Sequence, residues 1–331
     1  MADSQSAAAP PGAAADLLAS VLARVRGSST IGLASVVVLV AVVFGVIAPN
    51  FATTSNIANI ARASAVFGIA ALGITIPMIA GAVDLSFGAI MSLAGIGAAT
   101  QLSQGAPIVQ AVAIGLLIGI GLGTVNGLIG AALRLDSMIV TLGTLSVFGG
   151  AAFMLTNAQR TYAPGDQFAF LGRGFLIGLP VPVWIMLAVA GALGLLLRYT
   201  VFGQRLFVVG DNPRAARLSG LSIARTRIAA LAISGLCAAL AGIVIASNDG
   251  LIYPGTGEVY LLQTLAAVVI GGTALRGGVG TVVGTLLGIL LLGIVDNGMN
   301  LMGVPGIWAD VLRGLILIGA LVLDRLRGSR H

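Results

Sequence analysis

No lysine occurs in the 331 residues of this chain, and histidine and cysteine occur once each. A phosphate-binding loop of the Walker type needs its lysine to reach the nucleotide phosphates, so the chain has no such ATP site. The lone cysteine, Cys237, cannot form an intrachain disulfide and lies in an apolar run, where it reads as core packing. The one histidine is His331, and no set of residues resembles a hydrolytic or redox site. Charge is scarce too: 8% of residues are charged and 58% hydrophobic, with a mean hydropathy of +1.08. So few polar groups could not cover a water-soluble fold, and lipid is the consistent solvent. The net charge of +6 comes from 17 arginines that fall mostly in short segments between apolar runs, as a topology signal rather than a nucleic-acid surface. Glycine is abundant: the 48 residues are roughly twice the usual share of ~7%. In lipid, small residues let helices approach closely.

Residues 1–15 read as a disordered tail. Leu17, Leu18, Val21, Leu22 and Val25 then repeat at helical spacing, so residues 1–30 form a cytoplasmic tail with a short amphipathic helix at the membrane surface. Residues 31–325 form the membrane domain and 326–331 a cytoplasmic tail. Apolar runs occupy about 31–48, 58–80, 86–101, 108–133, 138–156, 179–197, 228–247, 259–275, 279–295 and 306–323. The expected fold is therefore an all-α polytopic membrane protein of about ten transmembrane helices. The eighth run is short and glycine-flanked, which marks it as broken or only partly crossing. With both termini cytoplasmic, thirteen arginines lie inside and two, Arg160 and Arg173, outside; the opposite orientation inverts that ratio. Spans two to five and seven to ten then enter from opposite sides, which permits an inverted repeat. Gly115, Gly119, Gly123 and Gly127 in the fourth span, and Gly280, Gly284 and Gly288 in the ninth, predict smooth faces for helix contact.

Three segments depart from plain lipid-facing helix. In Gly81–Gly88, Asp84 sits among apolar residues, where a carboxylate must face a cavity or a partner. It reads first as a cap of the next helix in a cytoplasmic-side turn, and second as part of a pathway or gate, with Ser86, Asn126, Thr141 and Thr144 as further candidates. The inside loop, about 198–227, contains Asn212, Pro213, Arg214, Ala215, Ala216, Arg217, Leu218, Ser219 and Gly220. Asn212 suits an N-cap, Pro213 a first turn and Gly220 a left-handed stop, so this is a short, complete helix suited to docking. Binding of anionic headgroups by its arginines is the other reading. The third segment holds Gly271, Gly272, Gly277, Gly278 and Gly280, whose backbone freedom is tolerated at membrane depth only where protein or water surrounds it. Beyond it, Asp296, Asn297 and Asn300 either meet a polar solute or form an outer turn.

Val83–Gly88, Ile139–Thr144, Gly210–Gly220, Gly271–Gly280 and Asn297–Val304 closely resemble, in order and spacing, the ribose/xylose/galactose-type permease subunits of bacterial ABC importers. The resemblance implies a multi-pass protein of the bacterial cytoplasmic (inner) membrane, working with a second permease copy (in a homodimer or a related heterodimer), cytoplasmic ABC ATPase subunits and an extracytoplasmic sugar-binding protein. It implies that 212–220 is the ATPase-coupling helix, and that ATP and Mg are bound by the partner ATPase, with no cofactor in this chain. Relatives often have glycine at the position of Ala82, an acidic residue at Arg214 and lysine at Arg313. The Arg214 difference changes the charge of the docking helix. Arg313 is expected to pair with Asp310 or Asp296. Because the binding protein supplies affinity, the expected pathway is weakly polar rather than a dense binding site. The rivals are a proton-coupled secondary transporter using Asp84 or Glu258, an uncoupled channel or scaffold, and an ABC permease for nucleosides, branched-chain amino acids or a sugar-like signal.

Overall fold

The computed structural model describes residues 29–305 together with 307, 308, 311, 314 and 315. The expected amphipathic tail helix, the C-terminal tail, most of the tenth apolar run and the pairing of Arg313 with Asp310 or Asp296 lie outside the described residues. In chain order the helices are α1 (Ser29–Ile47), α2 (Thr54–Ile79), α3 (Phe87–Ser103), α4 (Ile108–Leu133), α5 (Ser137–Thr156), α6 (Asp166–Arg173), α7 (Val181–Tyr199), α8 (Val201–Asp211), α9 (Pro213–Leu218), α10 (Ile223–Asp249), α11 (Leu261–Ile270) and α12 (Val282–Leu301). Four two-residue strands make two small antiparallel pairs: β1 (Thr161–Tyr162) with β4 (Leu251–Ile252), and β2 (Phe175–Leu176) with β3 (Leu179–Pro180).

Seven of these helices, namely α1, α2, α4, α5, α7, α10 and α12, are long and apolar enough to cross a membrane. Two expected spans are shorter. Helix α3 has 17 residues. Helix α11 has ten residues, which at about 1.5 Å each cover roughly half of ~30 Å of hydrocarbon. It stops at Gly271 and the chain continues without helix to Thr281, so the eighth run is a half-helix with a non-helical continuation. The helix ends obey local chemistry: Thr53, Asp136, Ser222 and Thr281 each accept a hydrogen bond from a free N–H of the helix they begin.

Helix α10 is the central post, packed against α2, α3 and α4. The α4 glycines lie on that contact. A side chain on Gly119 would meet the Gly235 carbonyl and the Ala239 methyl, and one on Gly123 the Leu231 carbonyl. On α12, Gly284 faces Gly271 and Gly288 faces Ala267. Both predicted smooth faces are thus contact faces. Helix α1 stands at the edge, tied in where Phe44 stacks on Phe51 at 5.9 Å and lies over Gly298. Its remaining valines and leucines are largely exposed, as a lipid-facing helix requires.

Candidate functional site

Four helices converge at one end of the bundle on a cavity of about 440 Å³. Helix α2 begins there and contributes Asn59 and Arg62. Helix α10 ends there with Asn248 and Asp249, Tyr260 stands just before the half-helix α11, and Gln263 lies in its first turn. From the last turns of α12 come Asp296, Asn297 and Asn300. The packing around the pocket is specific. Asn297 and Asn56 exchange two amide hydrogen bonds, each 2.9 Å, and Asn56 also donates to the Phe51 carbonyl. Gln263 donates to the Asp296 carboxylate, and the Asn248 amide to Asp249 at 2.8 Å. The Arg62 guanidinium lies 5.1 Å from the centre of the Phe175 ring, directed also toward the Arg173 carbonyl. The first turn of α11 brings Gln263 to Asp296.

Asp296, Asn297 and Asn300, expected to meet a solute or to form a turn, are brought together on this pocket. Asn59, Arg62, Asn248, Asp249, Tyr260 and Gln263 were not anticipated. The one available signal was that Asn59 and Arg62 recur three residues apart near the start of an apolar run. In three dimensions these polar side chains gather in one place.

Asp84, Ser86, Asn126 and Thr141 form a second cluster that does not line the pocket. The Asp84 carboxylate is 1% exposed. One oxygen accepts from the backbone N–H and the hydroxyl of Ser86 at 2.9 and 2.7 Å; the other accepts from Ser234 at 2.7 Å. Asn126 in turn donates to Ser86 at 2.7 Å. The extended Val83–Ser86 segment obtains backbone partners from α5: Ser137 accepts from Val83 N–H, and Thr141 accepts from Leu85 N–H while lying against the Val83 carbonyl, all at 3.1 Å. Side chains thus satisfy a non-helical backbone inside the bundle. Thr144 takes no part; its hydroxyl turns back to the Thr141 carbonyl. The Asp84 carboxylate accepts from the N–H of Ser86 at the start of α3, as a capping group does. Ser86 is the N-cap residue of α3 and makes no side-chain cap bond, and Asp84 reaches Ser234, eleven residues into α10. Ser234 is roughly 16 Å along the helix from its start. Replacing Asp84 with alanine strands three donors and should cost about 3 kcal/mol, whereas asparagine keeps an acceptor and should cost about 1 kcal/mol. Thermal unfolding of the purified variants checks this order; equal losses would contradict it.

At the opposite end, α9 forms as its residues predict. Asn212 accepts from Ala215 N–H at 3.0 Å, Pro213 occupies the first turn, and Gly220 has φ +79°. Arg214, Ala215, Arg217 and Leu218 are exposed, while Ala216 is buried. Just before α9, the backbone of Gly210 lies against the Ile79 carbonyl and the N–H of Gly278, and Gly277 against Gly81 and Gly210. Gly278 N–H donates to the Ile79 carbonyl at 2.9 Å. Gly277 and Gly278 have φ of +95° and +77°, as this crossing of three chain segments requires.

The model of the family described as branched-chain amino acid transport system / permease component matches residues 56–321. The ribose import permease protein RbsC of Bacillus subtilis is 36% identical over 293 residues, covering 88% of this chain and 91% of that protein. The corresponding RbsC of Escherichia coli K12 is 35% identical over 296 residues, 88% of this chain and 92% of its own. The L-arabinose transport system permease protein AraH of Escherichia coli K12 is 35% identical over 279 residues, 84% of this chain and 85% of its own. Among solved structures, a chain of a metal-chelate type ABC transporter in an inward-facing conformation superimposes with a TM-score of 0.54 at 16% identity, over 89% of this chain and 98% of that one. At that identity the likeness concerns the fold.

Proposed function

The chain belongs to the branched-chain amino acid transport system / permease component family, and from that premise we propose that it is the membrane-spanning subunit of an ATP-binding-cassette importer for a monosaccharide. The observation that carries the cargo is the outer pocket, where amides, carboxylates and a guanidinium gather at one end of an otherwise apolar bundle. Relatives named for ribose and L-arabinose import support a pentose-sized solute. The family description favours a branched-chain amino acid as the alternative cargo.

In this reading the chain crosses the bacterial inner membrane ten times with both termini inside, and the half-helix α11 and its glycine-rich continuation count as the eighth crossing. An inverted relation between spans two to five and seven to ten is supported by one parallel: α3 and α11, second in each set, are both short and both adjoin non-helical chain. A second permease copy completes the channel, an extracytoplasmic binding protein delivers the sugar to the outer ends, and ATPase subunits receive α9. Without lysine, the chain leaves ATP and Mg to those ATPases. A proton carrier is less well served by these residues, since Glu258 is exposed at the outer turn before α11 and Asp84 is bound by three donors.

The test is complementation. Expressed with its ATPase and binding protein in cells lacking their own pentose importers, the chain should restore uptake of D-ribose or L-arabinose. Uptake of leucine with neither sugar taken up would replace the sugar reading with the amino-acid one.

A further inference from the structure

The polar groups of the outer pocket are arranged for more than passage of water. Arg62 Nε is buried with no hydrogen-bond partner among the described residues. Gln263 is 6% exposed and held on the Asp296 carboxylate, so its position is fixed before any solute arrives. Asn59 and Asn300 lie exposed on the same cavity. Apolar side chains complete the lining, among them Ile60, Phe67 and Ile245. Convergent polar groups in a partly apolar cavity are the usual anatomy of a small-ligand site, and about 440 Å³ lies toward the small end of the range of roughly 300–1,000 Å³ for such sites.

Resting on the reading of the chain as a sugar permease, we infer that this pocket is itself a weak monosaccharide-binding site, contained within a single protomer and operating without the binding protein. The inventory of groups decides the class. A sugar presents neighbouring hydroxyls that each donate and accept. An amide answers both roles, and a carboxylate accepts from two hydroxyls at once. The exposed amides of Asn59 and Asn300, the Asn248 and Gln263 amides beyond the one N–H each gives to Asp249 and Asp296, and the unpartnered Arg62 Nε suit a polyol. An amino acid would have to bring its carboxylate beside Asp249 and Asp296 on the same lining, whereas an uncharged polyol meets no such repulsion and can accept from the Arg62 Nε. The site would hold the sugar between its release outside and the inward movement of the helices, giving the permease a share in selectivity.

The experiment uses the full-length permease in lipid nanodiscs, with D-ribose and L-arabinose as probes and leucine and glycerol as controls. Ala63 is exposed on the pocket, and the native Cys237 is buried. In the Ala63→Cys variant, at least one sugar should slow modification by a methanethiosulfonate reagent, and Asn59→Leu or Asn300→Leu in that background should raise the sugar concentration needed about tenfold. Saturation-transfer NMR on the unmodified chain gives a second reading that depends on no substitution. Protection by neither sugar with no saturation transfer, protection by leucine or glycerol equal to that by sugar, or protection unaffected by both leucine variants would each overturn the inference. Failure here with sugar uptake intact in the complemented cells removes only the protomer site; failure of that uptake removes the sugar-permease reading itself.

Discussion

Replacing Leu218 with aspartate is expected to abolish sugar uptake while leaving the protein in the membrane at its normal level. Leu218 is 91% exposed at the end of α9, a helix made rigid by the Asn212 cap and Pro213 and flanked by exposed Arg214 and Arg217. If α9 sits in a groove of the ATPase, a carboxylate at this point becomes a buried, unpaired charge. That costs about 3 kcal/mol, a factor of roughly 100 in affinity. Uptake assayed beside an immunoblot of the membrane fraction checks it, and normal uptake would remove α9 from the joint. The neighbouring alanines separate docking from folding. Ala215 is exposed, so Ala215→Glu should act as Leu218→Asp does. Ala216 is buried against the chain's own body, so Ala216→Glu should also lower the amount of folded protein.

The second large effect is expected at Gly210. Its backbone touches the Ile79 carbonyl at the end of α2 and the N–H of Gly278, and Asn212, two residues later, opens α9. A valine there has no room, because the opposing atoms are main chain and cannot rotate away. Gly210→Val should therefore break the Gly278–Ile79 hydrogen bond and cost about 3 kcal/mol or more. Its consequence differs from that of Leu218→Asp: folded protein should fall as well as uptake, seen as a lowered Tm in detergent. Gly220→Ala is a useful contrast. Gly220 also has positive φ, but nothing crowds its Cβ position. The loss there should be limited to backbone strain, about 1 kcal/mol. The crossing at Gly210 also supplies a physical route by which movement of α9 could reach α2 and the glycine segment before α12, since all three segments touch through main-chain atoms.

What could be read in the sequence was what depends on near neighbours along the chain. The α9 helix was legible because its cap, first-turn proline and left-handed stop lie within nine residues. The α4 and α12 contact faces were legible because a four-residue glycine period fixes one side of a helix. The break in α11 was legible from its flanking glycines, though not the half-length of the helix. The pocket was only partly legible. Asp296, Asn297 and Asn300 drew notice as a cluster, but Asn59 and Gln263 are single polar residues in apolar runs, about 200 positions apart. Hydropathy carries no information on which face of a helix meets which neighbour, so nothing local assigns Asn59, Asn248 and Gln263 to one cavity. Asp84 shows the same limit in depth. Its break between apolar runs marks a turn, but only the contact with Ser234 reveals that the turn lies inside the bundle.

The central claim is that this chain moves a sugar only as part of an ATP-driven assembly. The direct measurement is uptake of radiolabelled D-ribose or L-arabinose into proteoliposomes containing the permease, its ATPase and enclosed ATP, with the binding protein outside. The account predicts uptake that stops when the ATPase, the ATP or the binding protein is left out, and that is unchanged when the proton gradient is dissipated. Uptake that persists without the ATPase, or that follows the proton gradient, would contradict it.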